Sequence, residues 1–216
     1  MAAVKPSDLG RFSRSARRVL VACEFSGIVR DAFRALGHDA TSCDLLPSER
    51  VSPRHYQGNV LDILGDGWDL MIAHPPCTYL SRAGARWWKN PYRMALADAA
   101  AEFVFALRDA PIERIAIENP IGQLNQRWRY PDQTIEPFMF GEPYRKRTCL
   151  WLKSLPVLLP TVMVENPRYW IDSYPGRRTP GYDYRSTRGH ARKAADRSRT
   201  FQGIADAMAQ QWGHPQ

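Results

Sequence analysis

The chain has little that would tie it to a membrane, a metal or the cell exterior. No apolar run approaches membrane-spanning length, and the start lacks the charged, apolar and small-residue blocks of a secretory leader. A soluble protein that stays in the cytoplasm is the expectation. Its four cysteines, Cys23, Cys43, Cys77 and Cys149, form no C-x-x-C pair, which argues against a zinc site or a disulfide framework. No internal repeat is present, which sets repeat architectures aside. Acidic residues are in the minority: 22 Asp and Glu face 30 Lys and Arg, a formal charge of +8. That surplus favours a polyanionic partner, because each neutralised phosphate releases condensed counterions. With 216 residues, 44% of them hydrophobic, the chain can bury one core and carries no second full domain.

What is present is organised around residues 68–77, WDLMIAHPPC. Leu70, Met71, Ile72 and Ala73 make the short continuous apolar run of a strand covered on both faces. Pro75 and Pro76 cannot extend a central strand, so the chain leaves the sheet there. Cys77 is thereby delivered at a strand's C-terminal end, the edge where open α/β sheets bind ligands. A buried, inert cysteine is the alternative at this position.

Before this strand, residues 1 to about 17 are polar and basic without periodicity and are expected to form a mobile arm. Residues 19–23 (VLVAC) read as a first strand, followed by Glu24, Phe25, Ser26 and Gly27 and then by helical spacing over 28–36. Strand, small-residue turn and helix is how a mononucleotide-binding unit begins, and Gly37 is placed to end the helix. A second strand is expected at 39–43, ending in Asp44, where an acid commonly holds a ribose hydroxyl pair. A third is expected over 55–60, with Asn59 and Asp62 near its end.

After Cys77, the alanine-rich segment 91–109 predicts a helix. Residues 114–117 (RIAI) predict a buried strand that delivers Glu118, Asn119 and Pro120. Segments 134–140 and 148–152 predict two strands joined by GEPYRKR, a hairpin added at the edge of the sheet. Arg145 and Arg147 lie two apart and face one side of an extended chain. From about 156 to 197, Tyr169, Trp170, Tyr174, Tyr182 and Tyr184 interleave with Arg177, Arg178, Arg185 and Arg188. Cations for phosphates and rings for stacking suit nucleic acid; a solvated loop packed on the body is the other reading. Residues 198–216 predict a closing helix docked through Ile204, Met208 and Trp212.

In this order the motifs resemble those of the cytosine-C5 DNA methyltransferases, most closely the short bacteriophage forms, over about residues 19–212. EFSG resembles the Phe-x-Gly-x-Gly cofactor loop, GNV the Gly-Asp-Ile motif, PPC the nucleophile motif, ENP the Glu-Asn-Val motif, and RKR the Arg-x-Arg motif. SRTFQGIADAMA resembles a fusion of the last two motifs. The chain departs from the pattern at Ile28 and Val29, where a glycine is usual, at Asn59 for aspartate and at Pro120 for valine. The region between RKR and the closing helix is short, so a short target sequence is expected.

The resemblance implies a Rossmann-like α/β sheet with helices on both faces, as a catalytic domain over 18–155 with a reduced recognition segment over 156–197. It implies S-adenosylmethionine as cofactor, held by Glu24, Phe25, Ser26, Gly27, Asp44, Asn59, Asp62 and Pro75. Double-stranded DNA is the implied partner of a monomer in a bacterial or phage-infected cytoplasm, with Arg82 and Arg86 of the TYLSRAGARWW loop joining the C-terminal arginines on it. Cys77 would add to carbon 6 of a flipped cytosine, Glu118 would meet ring nitrogen 3, and Arg147, with Arg145, would hold the carbonyl at position 2. Only a thiolate attacks, so Cys77 calls for a positive neighbourhood, with His74, Arg82 and Arg147 as candidates. An amino-methyltransferase, an RNA cytosine methyltransferase and a non-catalytic DNA-binding module on the same scaffold are the competing readings.

Overall fold

The computed structural model describes residues 16–167, 170–171, 178–179 and 198–213. Seven strands form one sheet: β1 (Arg18–Ala22), β2 (Asp39–Asp44), β3 (His55–Gln57), β4 (Leu70–Ala73), β5 (Arg114–Asn119), β6 (Gln133–Ile135) and β7 (Thr148–Lys153). Their spatial order is β3-β2-β1-β4-β5-β7-β6. The first five in that order pair in parallel, whereas β7 runs antiparallel to both β5 and β6. Helices within the described residues include α1 (Ile28–Ala35), α2 (Pro91–Arg108), α3 (Leu124–Arg127) and α4 (Gln202–Trp212). A two-residue pair, β8 (Trp170–Ile171) and β9 (Arg178–Thr179), stands apart from the sheet.

Strand periodicity divides the interior into two cores. Val19, Val21, Leu70 and Ile72 meet Phe33 of α1 and Ile204, Met208 and Trp212 of α4 on one face. Leu20, Ala22 and Met71 meet Val104 and Leu107 of α2, together with Trp151, on the other. Every residue of β4 is fully buried, which explains why LMIA lacks alternation. The fold is α/β with helices on both faces of a mostly parallel sheet, compatible with a Rossmann-like arrangement. The connections from β1 and β4 leave toward opposite edges, so a crevice opens at the carboxyl ends of these adjacent strands.

The expected helices form where the capping residues direct them. Asn90 caps α2 by accepting from the Arg93 amide at 3.1 Å, with Pro91 in the first turn. Gly37, at φ 85°, ends the turn after α1. Two strands are shorter than the sequence predicts. The third stops at Gln57, because Asn59 caps a 3₁₀ turn over Val60–Asp62. The sixth stops at Ile135, because Pro137 opens a 3₁₀ turn over Pro137–Met139. α4 starts at Gln202 rather than near Ser198. Of the expected N-terminal arm only residues 16 and 17 are described, and Arg17 is tied down, donating through Nε to the Gly213 carbonyl at 3.0 Å.

Candidate active site

Cys77 is exposed four residues past the end of β4. The segment that carries it is held mainly through its backbone. The Asn119 side chain, buried at the end of β5, donates to the Pro75 carbonyl at 2.9 Å and fixes the turn before the thiol. The amides of Leu80 and Ser81 then donate to the Cys77 carbonyl at 3.1 and 2.9 Å, closing a tight turn after it. Beyond that, the segment is laced to the one following β5: Arg82 N–H donates to Ile121 O, Gln123 N–H to Leu80 O, and Ser81 bridges Gly122. Gly122 permits this approach, since a Cβ there would lie 1.8 Å from the Leu80 carbonyl oxygen. The segments carrying Cys77 and Glu118 are thus one unit.

The other three cysteines have no such setting. Burial, with the Asp44 and Cys43 charges behind it, pushes the Cys23 thiol up to about 12, and burial with Asp44 and Asp62 does the same for Cys43. Cys149 is also raised, chiefly by burial. Cys43 and Cys149 are buried and Cys23 is half-buried, and none has a setting that favours the thiolate.

Strand register brings the next pair together. Ala73 pairs with Ile117, so the residues that follow, His74 and Glu118, emerge side by side. His74 Nδ1 lies 3.0 Å from Glu118 Oε2, with the two side chains 6% and 20% exposed. Burial pushes the Glu118 carboxyl up, but the His74 hydrogen bond and the nearby His74 and Lys146 charges outweigh it and hold the group below the ordinary carboxylate range. His74, one of three candidates for a positive neighbour of Cys77, is therefore engaged with Glu118.

Arg145 and Arg147 share one side, as their spacing implies, and both reach the buried Glu136: Nε to carboxylate distances are 3.2 and 3.8 Å. Arg147 remains 58% exposed. Lys146, between them, faces the other way and lines a cavity of about 10 Å³ with His74, Glu118, Thr148 and Phe201. Sequence reasoning placed Asn119 in ENP and Lys146 in RKR without assigning either a role, and it did not single out Glu136. The alternation in R-K-R carries the signal for Lys146; Asn119 and Glu136 declare themselves only through strand pairing.

At the carboxyl ends of β1 and β2 the predicted cofactor residues adjoin. Cys23 takes φ 59°, a left-handed conformation that turns the chain out of β1. Glu24, buried, accepts at Oε1 from the Ser26 hydroxyl (3.0 Å) and the Val29 amide (2.8 Å), so it caps α1. Its Oε2 is buried with no hydrogen-bond partner. Gly27, at φ 75°, precedes α1, and Phe25 lends its carbonyl to the Glu49 amide. Asp44 ends β2 and accepts from the Leu46 amide at 2.9 Å. Asn59 caps the next turn through the Leu61 amide, and Asp62 is exposed on that turn. The buried Pro75 borders the crevice from β4. Arg30, 1% exposed, organises this end by donating to Ser42, Ser48 and the Arg50 carbonyl.

Arg82 and Arg86 are exposed on a 3₁₀ turn (Arg82–Trp87), where the Arg86 guanidinium covers the Trp87 ring at 5.2 Å. Beside them an open groove of about 300 Å³ is lined by Tyr79, Trp87, Asn90, Tyr92, Arg93 and Leu96. Arg178 begins β9, and Arg177, Arg185 and Arg188 lie outside the described residues. No described helix is long and apolar enough to cross a membrane. Among the described residues no three His, Cys, Asp or Glu side chains gather as a metal site requires. Compared with known family models and curated proteins, the chain matches none.

Proposed function

We propose that the chain is an S-adenosylmethionine-dependent DNA cytosine-5 methyltransferase. One observation carries the reading: an exposed cysteine and a partly exposed glutamate, from the ends of adjacent central strands, stand in segments hydrogen-bonded into one unit beside the sheet's switch point. A thiol and a carboxyl held together in this way suit covalent addition to a heteroaromatic ring whose nitrogen takes up a proton.

The β1–β2 end fits the cofactor. The unpartnered Glu24 Oε2 suits an ammonium group, Asp44 suits ribose hydroxyls, and Ser26 and Gly27 present backbone close by. When bound there, S-adenosylmethionine supplies a methyl group activated as a sulfonium. The protein's own residues do the rest. Cys77 thiolate adds to carbon 6, the C5=C6 pair shifts to C4=C5, the N3=C4 pair moves onto ring nitrogen 3, and that nitrogen takes a proton from the protonated Glu118. That makes carbon 5 nucleophilic, which it is not in cytosine itself. After transfer, water takes the carbon-5 proton, the pair left behind re-forms C5=C6 and expels Cys77 as thiolate, and ring nitrogen 3 returns its proton to Glu118.

The +8 charge, the exposed Arg82 and Arg86, and the aromatic groove beside them support DNA as the substrate. Transfer of a radiolabelled methyl group from S-adenosylmethionine to mixed-sequence duplex DNA, followed by nucleoside analysis, tests the proposal. Label in 5-methylcytosine is the expected result. Label in N4-methylcytosine or N6-methyladenine, or label only in RNA, would replace it.

A further inference from the structure

The His74–Glu118 pair does more than sit at the site. A carboxylate can only accept, so the 3.0 Å contact requires a proton on His74 Nδ1 that is donated to Glu118 Oε2. The imidazole is held from its own backbone, whose amide donates to Ala22 O at 2.9 Å, and its Nε2 is buried with no hydrogen-bond partner. Its described hydrogen bonding is thus directed to one oxygen of Glu118. The cavity beside the pair has room for at most about one water. Among the described residues, the charged or titratable groups that act on Glu118 are His74 just past β4, Lys146 from the approach to β7, and Cys149 on β7. The α4 side contributes the apolar Ile204 and Met208.

Resting on the proposed cytosine-5 reaction, we infer that His74 is a positioning residue for Glu118: its Nδ1–H pins Oε2, turns Oε1 toward ring nitrogen 3, and stabilises the carboxylate formed there. The accounting of the step makes the need plain. Glu118 rests ionised, so Oε1 takes up a proton from water as the base docks; the S–C6 bond then forms, the Oε1–H bond breaks, and an N3–H bond forms. Negative charge leaves the Cys77 sulfur and arrives on Glu118, beside His74 and Lys146. A lone glutamate would rotate and would face the new charge without a fixed donor.

The test compares full-length wild type with His74→Leu, His74→Asn and Glu118→Gln, reading single-turnover methyl transfer to DNA across pH and the affinities for cofactor and DNA. His74→Leu is expected to slow transfer about 10²-fold with both affinities within about 2-fold of wild type. His74 helps hold the Glu118 carboxyl low, so without it Glu118 keeps its proton to higher pH and the fall in rate that follows its deprotonation moves upward in pH. His74→Asn, whose amide can donate from nearly the same place, should recover most of the rate. A His74→Leu enzyme with wild-type rate and pH profile overturns the inference. So does a folded His74→Asn enzyme as slow as Glu118→Gln, a criterion that stands even where His74→Leu does not fold. Wild type that transfers no methyl group to cytosine would instead sink the functional reading itself.

Discussion

Two ends of strands border the same crevice and are built in opposite ways. At the ends of β1 and β2, side chains do the holding: Glu24 caps α1, Asp44 caps its own turn, and the buried Arg30 ties Ser42, Ser48 and Arg50 together. Little side-chain capacity is left there beyond Glu24 Oε2. At the ends of β4 and β5 the backbone does most of the holding, through Leu80, Ser81, Arg82 and Gln123, with the buried Asn119 and Gln123 side chains adding ties to the Pro75 and Tyr79 carbonyls. Cys77 and Glu118 are thereby left accessible. A region proposed to bind through a preformed shape can commit most of its polar side chains to that shape, whereas a region proposed to react is better fixed through its main chain.

Breaking the reactive end should have the largest effect. Cys77→Ala is expected to lower methyl transfer by at least 10⁴-fold, an order-of-magnitude figure for removal of a covalent nucleophile. Its melting temperature should stay near wild type, because an exposed side chain contributes little to stability. Breaking the shape-keeping end should do the reverse. Arg30→Leu removes a buried guanidinium and leaves two hydroxyls and a carbonyl short of donors, so unfolding free energy should fall by about 3 kcal/mol in urea titrations. Cysteine addition to a cytosine trap should persist in whatever fraction remains folded.

Gly122→Ala sharpens the contrast, since it perturbs the lacing without touching a reactive group. Its Cβ would sit 1.8 Å from Leu80 O, so the two segments must part. Transfer is expected to fall about 10²-fold through misplacement of Cys77, with about 1–3 kcal/mol of stability lost. The smallest effect is set by pH. Glu118 titrates below its ordinary value near 4.5 when folded, so its ionised form stabilises the protein fully above that value. The contribution is lost as pH falls through the depressed folded value. Glu118→Gln should therefore flatten part of the acid limb of stability against pH, with Asp31 and Asp132, also held low by arginines, carrying the rest.

Much of the fold is legible in the sequence, because buried strands and capped helices state themselves locally. VLVAC, LMIA and RIAI lie on three adjacent strands, and Asn90 with Pro91 marks the start of α2. Strand ends are less legible where a cap or a proline competes, as at Asn59 and Pro137. At the site, local signals gave Cys77 and Glu118, since each follows an apolar run and adjoins proline. The roles of His74, Asn119, Lys146 and Gly122 depend on which strand lies beside which. His74 is close to Cys77 in sequence, and the β4–β5 register is what sets it beside Glu118.

The central claim is that Cys77 attacks a cytosine ring in DNA. Duplex DNA of mixed sequence containing 5-fluorocytosine, incubated with the protein with and without S-adenosylmethionine and run on a denaturing gel, tests it most directly. Fluorine cannot leave as the carbon-5 proton does, so the enzyme stalls while still bonded to the base. A cofactor-dependent covalent complex that is absent with Cys77→Ala is the predicted result. No complex, under conditions where binding of both cofactor and DNA is demonstrated, would contradict it.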